Sequence, residues 1–179
     1  MKAIYLPDPE ATTAQLTPDS AVLLRGNPWF IPDDGDPALW QARLCVGAVI
    51  ARLGMHIPRQ FAHRYYTNLT VAAHPANDTA TTAMEWMRDG ALAKGCDFPI
   101  PADGQLTFVN TLTADTCVVD AAEMRDTFDR AIATISQFIT IKTGDIVMVP
   151  LPLPHVPLQE HTDFRITVNN EEVLTFKTR

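Results

Sequence analysis

The sequence predicts a mixed, predominantly β fold of the α+β class, built as a single domain over residues 1–179. Three observations support this. Short runs of β-branched and aromatic residues recur between clusters of Pro, Gly, Asn and Asp. Only two segments, about 121–139 and about 79–93, carry apolar residues at helical spacing. Leu44–Ile50 is a nearly continuous apolar run of strand length with Gly47 inside it, which fits a strand buried on both faces. With 179 residues, 46% of them hydrophobic, the chain can fill one core.

In chain order, Lys2 to Leu6 reads as a short opening strand, cut by Pro7 and Pro9. A polar connection over Ala11 to Gln15 leads to turn residues Thr17-Pro18-Asp19-Ser20 and an apolar run, Ala21 to Leu24. Gly26-Asn27-Pro28 turns the chain, and Pro32 to Pro37 reads as a surface loop. After the buried strand, the stretch Ala51 to Ala73 holds a Gly54 turn, a Pro58 break and a cluster of Phe61, His63, Arg64, Tyr65 and Tyr66 before a strand-like run, Leu69 to Ala73. Side chains with bulky bodies and polar tips mark a junction where strands meet, because the tip of each needs a partner.

Asp78 is a candidate N-cap for the shorter helix, which fades at Gly90 or Gly95. Met84, Trp86 and Met87 on it read as packing or a subunit contact. Leu106 to Leu112 and Thr116 to Val119 form a hairpin about Thr113-Ala114-Asp115. The strongest helix follows: Asp120 is its N-cap, Glu123 stands three residues on, and Met124, Phe128, Ala131, Ile132, Ile135, Phe138 and Ile139 make its apolar stripe. Lys142 to Asp145 turns the chain into Ile146 to Val149, and Pro150 to Pro154 then reads as an extended edge packed on the core. The chain closes with a hairpin, Phe164, Ile166 and Val168 alternating before Asn169-Asn170 and returning through Val173 to Phe176.

Composition narrows the function. A net charge of -7 with no basic run argues against a nucleic-acid partner. The amino terminus lacks the pattern of a signal peptide and no run of eighteen apolar residues occurs, so no membrane role and a cytoplasmic location are expected. Cys45, Cys96 and Cys117 are odd in number, widely spaced and without a CxxC pair, and are expected as free thiols, largely buried.

Arg52-Leu53-Gly54, Ile57 and Phe61-Ala62-His63-Arg64-Tyr65-Tyr66 resemble a bacterial branch of the fumarylacetoacetate hydrolase family. Later segments are similar to it in the same order: Lys94-Gly95-Cys96-Asp97, Ala133 to Phe138, Thr140 to Asp145 and Glu172 to Phe176. The resemblance covers most of the chain from Thr17 onward. It implies a mixed β-sheet roll or sandwich, a homodimer, and enzymes that cleave, isomerise or decarboxylate oxo-acids with Mg²⁺, Mn²⁺ or Ca²⁺ held by a Glu-x-Glu pair and an Asp. A hard cation needs several charged oxygens converging on it to polarise keto and enolate oxygens.

The matching positions here depart from that pattern. Gln41 and Arg43 fall on the Glu-x-Glu positions when Trp40 is matched to the family's aromatic residue, and the neighbouring register supplies no carboxylate either. An Arg beside a divalent ion is repelled by several kcal/mol even at an effective dielectric of about 20. The family's Asp falls at His74 and its following Arg at Asp78; a shifted reading makes Asn77-Asp78 the family's Asn-Asp pair. The family's Thr-Gly-Thr-Pro-x-Gly loop corresponds to Val149 to Pro154, where prolines remove donors and Leu151 cannot hydrogen-bond. The lid-like amino-terminal segment is shortened, and its acid/base His has no counterpart. Of the family's catalytic set, Lys94 keeps its type.

The expected protein therefore has the family's fold without metal-dependent catalysis. Lys94, His74 and Asp78 are the remnant catalytic candidates, Gln41, Arg43, His63 and Leu151 the pocket candidates, and neither a metal nor another cofactor is expected. A homodimer and a small carboxylate ligand are the expected partners, or else a surface role. The alternative is an active hydrolase, isomerase or decarboxylase of oxo-acids, of the acylpyruvate or oxaloacetate type, with His74, Asp78 and Lys94 in an altered site; a third possibility is a regulatory partner of an intact homologue. His155 and His161, in a late loop, are solvated or structural by this reading.

Overall fold

A computed structural model describes residues 1–31, 40–77 and 92–179, and of 75–77 the backbone. Among these residues lie thirteen strands and two helices. The first sheet takes β1 (Lys2–Tyr5), β2 (Gln15–Pro18), β3 (Val22–Leu24), β5 (Trp40–Ile50), β6 (Tyr66–Asn77), β7 (Leu92–Pro99) and β10 (Ile146–Pro150) in the order β2-β1-β10-β5-β6-β7-β3, with β11 (Val156–Pro157) added beside β5. The second sheet runs β4-β13-β12-β8-β9, from β4 (Pro28–Trp29), β8 (Gln105–Asn110), β9 (Thr116–Asp120), β12 (Asp163–Val168) and β13 (Glu171–Thr178).

The first sheet is nearly closed. β2 and β3 stand at opposite ends of its strand order, yet only the single 3-10 turn Asp19–Ala21 separates them in the chain. Three residues cannot cross a flat sheet of this width, so the sheet curls until its edges approach, a near-barrel. Its convex face packs on the second sheet and on α2 (Ala121–Ile135) to form the main core, around Trp40, Phe108, Phe128, Phe164 and Phe176. Its concave face encloses a second, smaller cluster of Ala3, Tyr5, Cys45, Ala72, Leu92, Ile146 and Met148.

The long helix starts as the sequence predicts: the Asp120 side chain accepts from the Ala122 N–H at 2.8 Å, and Met124, Phe128, Ala131, Ile132 and Ile135 are buried. It ends at Ile135, four residues short of the expected end, and Phe138 is 68% exposed rather than part of the stripe. Ser136 stops it there, because its hydroxyl accepts from the Ile57 N–H at 2.9 Å and its carbonyl from the His56 N–H at 2.7 Å.

That pair of bonds explains the Gly54–Tyr66 stretch. Gly54 exchanges two backbone hydrogen bonds with Ile141, the four-residue α1 (Arg59–Ala62) packs on α2, and the Tyr66 hydroxyl donates to Asp129 at 3.1 Å. A Cβ on Gly54 would meet the Tyr65 ring at 2.4 Å. The stretch is a staple between helix and sheet.

Several boundaries differ from expectation. β5 begins at Trp40 rather than Leu44, and β6 runs through Pro75 to Asn77, well past Ala73. Leu92 and Ala93, expected at the end of the shorter helix, lie in β7, as does Lys94. The rest of that helix, with Asp78, Met84, Trp86 and Met87, and the loop Pro32 to Pro37 lie outside the described residues. Gly95 is a strand residue because backbone crosses it closely: a Cβ there would stand 2.5 Å from the Val173 carbonyl oxygen and 2.9 Å from that of Val71. Both hairpins are present, the second turning at Asn169 and Asn170 with φ of 50° and 70°. The Lys142–Asp145 turn is locked by Asp145, 2% exposed, which accepts from the backbone N–H groups of Lys142 and Lys2 at 2.8 and 3.0 Å and pairs with the Lys2 ammonium.

Candidate functional site

Strand alternation decides which side chains enter the curled sheet. On β5, Trp40, Ala42, Leu44 and Val46 point to the main core, so Gln41, Arg43 and Cys45 point the other way. On β6, Val71 and Ala73 belong to the main core and Ala72 to the inner cluster, which puts His74 inside as well. The β5–β6 register sets Arg43 directly opposite His74, and Gln41 opposite Ala76. Two of the residues that the family resemblance would set at metal positions are thus cross-strand neighbours.

Tyr5 completes the group from the far side. It sits on β1, three strands from β6, yet its ring stacks on His74 with centroids 5.5 Å apart and planes 8° apart. Three strand spacings on a flat sheet span about 14 Å. The contact therefore requires this face to be the concave one. Arg43 hydrogen-bonds the Tyr5 phenol. At the rim, β11 pairs with β5 at Ala42 and Gln41, and His155 Nδ1 stands 3.2 Å from Gln41 Oε1.

The inner groups are held uncharged around the guanidinium. His74 has no exposed surface, and burial, followed by the Arg43 charge, lowers its pKa to about 4. Burial pushes the Cys45 thiol up to about 12, against a smaller opposing pull from Arg43. The Tyr5 phenol is raised by burial first, then by Cys45. Among the described residues, neither His74 ring nitrogen has a hydrogen-bond partner.

Other candidates lie elsewhere. Lys94 shares the inner face by its register with Ala72, but its ammonium pairs with Asp97 Oδ1 at 2.5 Å and donates to the Gly95 carbonyl. His63 is exposed at the end of α1, near Asp129 of α2, beyond the convex face. Leu151 is 4% exposed in the main core, its N–H donating to the Leu44 carbonyl, so it does not face Arg43. Asp78 lies outside the described residues. Tyr5 and Cys45 were not candidates from sequence: only closure of the sheet brings Tyr5 across, and no motif marks either.

No family model matches the sequence, and no curated protein is significantly similar to it. Solved structures are similar in fold across 99% of the chain. They include 5-carboxymethyl-2-hydroxymuconate delta-isomerase from Mycobacterium smegmatis, with a TM-score of 0.76, 19% identity and 77% of that chain covered. Fumarylpyruvate hydrolase from Pseudomonas aeruginosa, solved with Mn²⁺ and pyruvate, gives a TM-score of 0.74 at 11% identity over 88% of its length. A Yersinia pestis protein provisionally assigned to the fumarylacetoacetate hydrolase family gives 0.74 at 15% identity over 91%. The architecture is thus a near-closed mixed β roll with a polar group at its inner face. Its fold is that of the fumarylacetoacetate hydrolase family.

The Mn²⁺ of the Pseudomonas structure raises the question of a metal here. The inner donor set is an amide, a guanidinium and an imidazole at Gln41, Arg43 and His74, with no carboxylate on the described parts of β5 or β6. Among the described residues no group of three or more His, Cys, Asp or Glu could hold an ion. A hard divalent ion prefers charged oxygen, and the fixed positive charge of Arg43 opposes it. These residues do not fit the metal.

Proposed function

We propose that this chain is a fumarylacetoacetate hydrolase family member that has lost metal-dependent catalysis and binds a small organic acid at the inner face of its curled sheet. The observation that carries the reading is Arg43 facing buried His74 on the two strands where acidic ligands would be needed. A guanidinium supplies positive charge and directed N–H donors to a carboxylate without a metal. It does not supply the Lewis acidity that lets a metal stabilise an enolate.

The cytoplasm is the proposed location and a homodimer the proposed assembly. Among the described residues no helix is long and apolar enough to cross a membrane.

The test is turnover of acylpyruvates and oxaloacetate by purified protein, with added Mg²⁺ or Mn²⁺ and with EDTA. No metal-dependent turnover is expected. Activity that appears with metal and vanishes with EDTA would establish the alternative, an oxo-acid hydrolase, isomerase or decarboxylase with an altered site.

A further inference from the structure

A sheet edge left open pairs readily with another strand, so folded proteins blunt their edges with proline, charge, shortness or closure. Among the described residues β2, β3 and β4 are so treated. β2 carries Pro18 and stands one 3-10 turn from β3, where the first sheet nearly closes, and β4 is two residues long and begins with Pro28. β9, the edge at the other end of the second sheet, is different. It runs from Thr116 to Asp120 with no Pro, Lys or Arg and an unbroken register against β8.

Hydrogen bonds at the two ends of the β8–β9 hairpin fix which way its backbone points. The Asn110 N–H donates to the Asp115 carbonyl and the Ala121 N–H to the Gly104 carbonyl, so Cys117 and Val119, in phase with both, turn their backbone groups toward β8. Thr116, Val118 and Asp120 turn theirs outward, where no described strand meets them. All three residues are exposed, Val118 by 52%. An antiparallel copy of β9 fits this edge about a two-fold axis beside Val118. Val118 then faces Val118 of the other copy and Thr116 faces Asp120, so no like charges stand opposite and each pair exchanges both of its backbone hydrogen bonds. A slip of two residues keeps the bonding phase but loses a pair and sets Val118 against Thr116 or Asp120.

We propose that β9 is a self-pairing edge, through which two copies of this chain join their second sheets into one continuous sheet. This contact rests on the homodimer proposed above and locates it on the molecule.

Sedimentation equilibrium of the full chain gives the dimer dissociation constant, and hydrogen exchange at concentrations above and below it reads the contact. The Thr116, Val118 and Asp120 amides should exchange more slowly in the concentrated sample, while those of Cys117 and Val119, bonded to β8 in either state, should not change. Val118→Lys, at an exposed position, sets like charges opposite each other and should raise the dissociation constant at least about tenfold. Thr116→Lys, which sets an ammonium opposite Asp120, should lower it. A chain that stays monomeric at every concentration overturns the contact and the homodimer together. A dimer whose Val118 amide exchanges equally fast in both samples, that Val118→Lys leaves as tight as before, or that Thr116→Lys fails to tighten overturns the contact and leaves the homodimer standing.

Discussion

Tyr5 lies flat against His74 although three strand spacings separate β1 from β6. That contact is possible because the sheet curls, and it lies beside the guanidinium of Arg43 inside it. It also gives His74 a consequence for stability.

His74 titrates near pH 4 in the folded protein and at 6.5 in an unfolded chain. Its folded pKa is depressed, so the unfolded state binds the proton first as pH falls. The stability that neutral His74 allows is complete above 6.5 and drains away through pH 4, by about 3 kcal/mol in all. Urea unfolding between those pH values should show this slope in the native sequence and a flatter one in His74→Phe. Parallel slopes would place the His74 pKa near its ordinary value.

Gly95→Ala should destabilise strongly. Its Cβ would meet two backbone oxygens, of Val173 and Val71, where no rotamer change can relieve the clash. Overpacking of this kind costs about 1–3 kcal/mol or more. The expected result in chemical denaturation is a lower midpoint with an unchanged slope.

Asp145→Ala removes an almost fully buried carboxylate that ties the first residues of β1 to the turn before β10. It leaves two backbone N–H groups without their acceptor and the Lys2 ammonium with the Thr140 carbonyl but no carboxylate, at a cost of about 3 kcal/mol. Hydrogen exchange should speed up at the Lys2 and Lys142 amides before it does so elsewhere.

Ser136→Ala deletes the acceptor of the Ile57 N–H at the staple between α2 and the Gly54–Tyr66 stretch. A loss of about 1–2 kcal/mol is expected, because a buried donor is left unmet. Ser136→Thr, which keeps the hydroxyl, should recover part of it.

Much of this fold is legible in sequence where one residue pattern has one physical use. The alternation of Phe164, Ile166 and Val168 and the Asn169-Asn170 turn give the last hairpin directly. Asp120 and the spacing from Met124 to Ile135 give the helix. The pattern misled where a tertiary contact took over: Phe138 continues the helical spacing, but Ser136 is drawn into bonds with His56 and Ile57 and the helix stops. β7 was illegible because its residues Ala93, Lys94 and Gly95 carry no strand signal, and Gly95 is there for close approach.

The site divides in the same way. Gln41, Arg43 and His74 are found through resemblance, and strand register then makes Arg43 and His74 neighbours. Tyr5 cannot be found so, since its partnership with His74 depends on closure of the whole sheet. Motif order points to Leu151 and His63, while strand alternation and helix position carry them to other faces. The motif richest in resemblance, Arg52 to Tyr66, staples the helix to the sheet, so its place in the chain follows from packing.

The most direct test of the central claim is a Mn²⁺ titration of the metal-stripped protein followed by electron paramagnetic resonance. On the proposed reading, the signal of free aquo Mn²⁺ should grow from the first addition, with no bound fraction. Loss of that signal up to one equivalent per chain would contradict it.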